Sequence, residues 1–99
     1  MNEVIKFLID FSSKEKVISG REIAKRFDID RIEVRHLINK ARCEGIPICS
    51  NTSGYYYSTD VDEVRKTVDS LVGRISSMSK AITGLRSFRE RAEYYDDLL

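Results

Sequence analysis

The sequence predicts a mainly helical fold with one small β-hairpin, followed by a long C-terminal helix. Three observations carry this. Apolar residues recur at helical spacing over most of the chain. The stretch EGIPICSNTSGYYYS, residues 44–58, sets two β-prone runs on either side of a polar turn that ends in glycine. From residue 60 to residue 99 there is no proline and no obvious loop, and apolar residues recur in steps of three and four.

The first segment, NEVIKFLIDFSS, places Val4, Ile5, Leu8, Ile9 and Phe11 on one helical face, with Asn2 available as its cap. KEK makes a polar break and VIS a short extended run. Ser19, followed three residues later by Glu22, is a capping-box pattern that opens a second helix with Ile23, Ala24 and Phe27 facing inward. After DID, Asp30 and Glu33 repeat the pattern for a third helix, predicted over 31–44, with Val34, Leu37, Ile38 and Ala41 as its buried stripe. Gly45 stands where a left-handed cap is expected. The hairpin follows, and since a lone hairpin is not stable in water it must lie against other elements.

Composition narrows the function. The chain has 17 basic and 16 acidic residues, so nucleic-acid binding would depend on a local patch rather than on bulk charge. Cys43 and Cys49 are the only cysteines and His36 the only histidine, too few for a metal site, and no cofactor is expected. The two thiols are expected to be free and half-buried, Cys43 in a helix and Cys49 in the hairpin. The N-terminus lacks the apolar core of a signal peptide and no window approaches a membrane span, so a soluble, cytoplasmic protein is expected. Ser50 and Ser53 lack a partnered base, there is no glycine-rich phosphate loop, and catalysis is not expected.

Two short helices joined by a three-residue turn form a helix-turn-helix pattern, and a hairpin after them makes a winged helix. The stretch ISGREIAKRFDIDRIEVRHLINKARCEGIPICSNTSGYYYS resembles the winged-helix domain of the biotin operon repressor and small phage-encoded winged-helix proteins. The resemblance covers residues 1–59. It rests on Ala24, on Val34 and Leu37, and on GIPI leading through a turn to GYYY. It implies DNA binding by the third helix; the repressor's ligase domain has no counterpart here. Asp28 occupies the turn position that glycine usually fills, and aspartate tolerates the left-handed region better than most residues. The wing turn NTSG carries no lysine or arginine.

With its apolar stripe turned inward, the third helix leaves Arg31, Glu33, Arg35, His36, Asn39, Lys40 and Arg42 facing out. Arginine pairs with guanine and asparagine with adenine, while lysine neutralises phosphate. Between Arg21 and Arg42 there are seven basic and four acidic residues, a local net of +3. The candidate DNA contacts are Arg21, Arg31, Arg35, His36, Asn39, Lys40 and Tyr56. In the tyrosine run side chains alternate, so Tyr55 and Tyr57 share a face. The resemblance turns that face onto the core, which leaves Tyr56 exposed to touch DNA or a partner.

The remaining residues, 60–99, form the second expected region. Val61, Val64, Val68, Leu71, Ile75, Met78, Ile82 and Leu85 make a heptad seam that continues, after one shifted step, through Phe88, Ala92, Tyr95 and Leu99. One long helix is expected, with a break near Gly84 as the alternative. A helix of about 40 residues spans on the order of 60 Å, more than a domain of residues 1–59 can cover. A homodimer through Val64, Val68, Leu71, Ile75, Met78, Ile82 and Leu85 is therefore expected. Acidic Glu93, Asp96 and Asp97 lie far from Arg65 and Lys66, a pattern that leans towards antiparallel pairing. The sequence thus reads as a small dimeric DNA-binding regulator of transcription. The alternative is a phage-type adaptor or inhibitor whose winged helix docks a protein.

Overall fold

A computed structural model describes residues 1–98, the side chains of Asp97 and Leu98 excepted. Leu99, the end of the apolar series, and the Asp97 side chain, invoked for antiparallel pairing, lie outside the described residues. The elements run α1 (Glu3–Phe11), α2 (Gly20–Phe27), α3 (Arg31–Cys43), β1 (Ile48–Asn51), β2 (Gly54–Tyr57) and α4 (Val61–Leu98). No helix among the described residues is long and apolar enough to cross a membrane.

The caps are those the sequence marks. Asn2 accepts from the Val4 amide at 2.8 Å, Ser19 from Glu22 at 3.0 Å and Asp30 from Glu33 at 2.7 Å, each satisfying an amide the helix itself leaves open. Asp28 ends α2 in the left-handed region, at φ 51° and ψ 50°. The Ile29 amide then returns to the Ala24 carbonyl at 3.0 Å. Gly45 does the same for α3 at φ 87°, with Ile46 returning to Ala41. Both closures turn the following isoleucine back towards the core.

The chain divides into two compact units, Met1–Thr67 and Val68–Leu99. The first takes in the opening two turns of α4 and so extends past the expected boundary at residue 59. Its core joins Val4, Ile5 and Leu8 of α1 to Ile18, Ile23, Val34, Ile38, Ala41 and Ile48. Phe11, grouped by spacing with the apolar residues of α1, is 55% exposed; it closes the helix with its ring centroid 5.4 Å from that of Phe7.

The hairpin pairs Ile48 with Tyr57 and Asn51 with Gly54 in an antiparallel register. The Asn51 side chain accepts from the Ser53 and Gly54 amides and shapes its two-residue loop. Ile18, in the extended VIS run, exchanges both backbone hydrogen bonds with Tyr55 at 2.8 and 2.9 Å, extending the hairpin by one bridge. Gly54 makes this approach possible. A Cβ there would lie 2.4 Å from the Ile18 carbonyl oxygen, and its φ of 148° is one that L side chains rarely adopt.

In the second unit α4 is helical throughout, Gly84 included, so the alternative of a break there is set aside. One glycine costs a helix only about 1 kcal/mol relative to alanine. Most of the apolar seam of this unit is exposed on the chain, with Leu71 and Ala92 half-buried.

Candidate nucleic-acid interface

The outward face of α3 is held by both its ends. At the start sits the Asp30 cap. At the end Arg42, expected to face outward, turns instead to the hairpin: its Nε donates to the Ile48 carbonyl at 2.7 Å and its terminal nitrogen to the Ser50 hydroxyl at 3.1 Å. Arg42 therefore ties α3 to β1. A backbone carbonyl six residues ahead is an acceptor that helical periodicity does not reveal.

Between these ends lie two neighbouring rows at four-residue spacing. Arg31, Arg35 and Asn39 form one row, and Ile32, His36 and Lys40 the other, all exposed. Among the described residues the side chains of Arg21, Arg31, Arg35, His36, Asn39 and Lys40 have no ion-pair or hydrogen-bond partner. Arg21 is also exposed, in the first turn of α2. The Arg31 guanidinium comes close to the same turn, where a Cβ on Gly20 would stand 3.9 Å from it. Arg26, by contrast, is occupied, lying 4.3 Å over the Phe7 ring. Ile32 is 58% exposed. A large apolar side chain in the middle of a polar face was not singled out from the sequence; its place one position outside the buried stripe was the available signal.

Tyr56 does not belong to this face. The expectation that it is exposed is overturned: it is only 3% exposed, and its hydroxyl donates to Glu63 Oε2 at 2.6 Å. Alternation along β2 holds, since Tyr55 and Tyr57 pack on the helical core. The second face of the hairpin is covered as well, by the start of α4. Cys49 points the same way as its cross-strand neighbour Tyr56 and is buried, while Cys43 on α3 is exposed, so neither thiol is half-buried.

Glu63 is the centre of that second layer. Its other oxygen meets Lys14 at 2.9 Å and Lys66 at 3.3 Å. The Tyr56 hydroxyl first, and then the Lys14 ammonium, hold the carboxyl down at about 2 against the opposing effect of desolvation. Burial, reinforced by the bond to Glu63, pushes the Tyr56 phenol up. One turn on, Thr67 accepts from the Ser50 amide at 3.2 Å, and the Tyr57 amide donates to the Ser12 hydroxyl at 2.8 Å. Glu63, Thr67 and Ser12 were missed by sequence reasoning, because each reads locally as an ordinary polar residue of a helix or its end.

A groove of about 370 Å³ adjoins the polar face, lined among others by Met1, Ile5, Leu37, Lys40 and Ile46. Among the described residues no group of three or more His, Cys, Asp or Glu is placed to hold a metal ion. Comparison with known protein families, with curated proteins and with solved structures finds no match to this chain.

Proposed function

We propose that the first unit is a winged helix-turn-helix module that binds double-stranded DNA with α3 in the major groove, and that the chain is a small cytoplasmic regulator of transcription. The observation that carries this is the outward face of α3: six exposed side chains in two rows, none of the polar ones engaged among the described residues, on a helix fixed at both ends. Side chains held for structure spend their donors internally, as Arg42 does. In this reading Arg35 and Asn39 reach base edges, Ile32 meets a thymine methyl, and Arg21, Arg31 and Lys40 hold phosphates. The hairpin loop, with no basic residue, contributes shape and not charge. Two copies joined through α4 would present two such helices to adjacent half-sites.

The experiment is selection from a random duplex pool followed by titration of single variants. Arg35→Ala is expected to cost about 1–3 kcal/mol on the selected site and to relax preference at one base pair. Lys40→Ala is expected to weaken binding to every sequence alike. If both variants bind as the parent does, α3 is not the reading element.

The groove beside Lys40 favours a second reading, a protein-docking adaptor. Met1, Leu37 and Ile46 offer apolar surface next to the polar rows. That reading expects little affinity for any duplex, even at low salt.

A further inference from the structure

We infer that the exposed strip of α4 pairs with the same strip of a second copy as a parallel, two-stranded coiled coil. Val68, Ile75, Met78, Ile82, Leu85 and Phe88 are between 47 and 72% exposed on the chain. Large apolar side chains so exposed offer on the order of 100 Å² each, so the strip comes to roughly 600 Å² per copy. A contiguous apolar patch of that size stands at the upper end of what soluble monomers leave open to water. Two such strips bury about 1,200 Å² together, the lower end of what stable complexes use.

The occupant is a second copy because the strip is built to match itself. The seam is apolar at every position from Val61 to Leu85. Val61, Val68, Ile75 and Ile82 fill its a positions, and Val64, Leu71, Met78 and Leu85 its d positions. β-Branched residues at every a, with mostly unbranched-β residues at d, are the combination that favours two parallel strands. In that arrangement Ile75 packs on Ile75 and Met78 on Met78 of the other copy.

Charge supports the same direction. The antiparallel alternative draws on Arg65 and Lys66 meeting distant acids, yet both are already engaged. Arg65 pairs with Asp62 at 3.1 Å and Lys66 with Glu63 at 3.3 Å, while Glu93 at the far end faces Arg89 at 3.9 Å. An antiparallel seam that sets each a residue against a d residue would also bring Arg74 against Arg74. In a parallel pair each g position faces the following e position: Arg74 meets Ser79 and Ala81 meets Arg86. No like charges oppose.

The pairing goes beyond the DNA reading and is tested without DNA, so either can fail alone. Full-length protein at tens of micromolar, a working range for micromolar association, should scatter light as a dimer, and Ile75→Asp as a monomer. Direction is read by oxidation in a Cys43→Ser background, which removes the exposed native thiol. Leu85→Cys should cross-link to itself, since d faces d in a parallel pair. A differently tagged Val61→Cys, mixed with it, should not cross-link to it. A Val61→Cys to Leu85→Cys product without self-cross-linking would overturn the parallel arrangement. A monomeric parent, or a mass above two chains, would overturn the two-stranded pairing itself.

Discussion

Glu63 joins three parts of the first unit: the α1–α2 connection through Lys14, the hairpin through Tyr56, and α4 to which it belongs. Its carboxyl, ordinarily near 4.5, is held at about 2, first by the Tyr56 hydroxyl. The folded chain therefore binds this proton more weakly than the unfolded chain does. Ionised Glu63 stabilises the fold fully above the unfolded value, and that contribution drains away as pH falls from about 4.5 towards 2. Tyr56→Phe removes the largest cause and keeps the ring. The variant should lose about 1–2 kcal/mol at neutral pH, and its deficit should narrow as pH falls through the same window. Urea melts at a series of pH values measure both; a deficit independent of pH would show that the hydroxyl does not set the carboxyl's affinity. Residue by residue, the polar rows of α3 were legible because helical spacing alone separates them from Val34, Ile38 and Ala41. Tyr56 was not. Strand alternation says which side chains share a face and nothing about what covers that face.

At the scale of elements, the caps and helix ends were legible because their chemistry is local. Ser19, Asp30 and Gly45 each act within a few residues, and Asp28 adopts the left-handed turn that its position requires. The two-sided burial of the hairpin was not legible, because the contacts from Ser50 to Thr67 and from Lys14 to Glu63 join segments far apart in the chain. The same holds for the bridge between Ile18 and Tyr55, which turns Gly54 from a loop-closing residue into a packing constraint. Gly54→Ala should cost about 3 kcal/mol or more, since it combines a disfavoured backbone conformation with an atom forced onto the Ile18 carbonyl. Thr52→Ala, in the exposed loop two residues earlier, should stay within about 0.5 kcal/mol of the parent. Equal denaturation midpoints for the two variants would mean that Ile18 does not approach the hairpin closely in solution.

For the whole molecule, a net charge of +1 means that any affinity for a polyanion must come from one face. The expectation that such a face would lie on the third helix was readable from the excess of basic residues between Arg21 and Arg42. Which of them remain available was decided by tertiary contacts: Arg26 and Arg42 are spent on Phe7 and on β1, while Arg21, Arg31, Arg35 and Lys40 have no partner among the described residues. A small, localised set of cations makes a quantitative demand on binding. If about four of them displace counterions, the logarithm of the binding constant should fall with the logarithm of salt concentration at a slope of about −3 to −4 per copy bound. Titration of the full chain against pooled random duplex over a range of salt is the most direct test of this account. It predicts a complex at low salt that weakens with that slope. No complex at low salt and tens of micromolar protein, or a binding constant indifferent to salt, would contradict it.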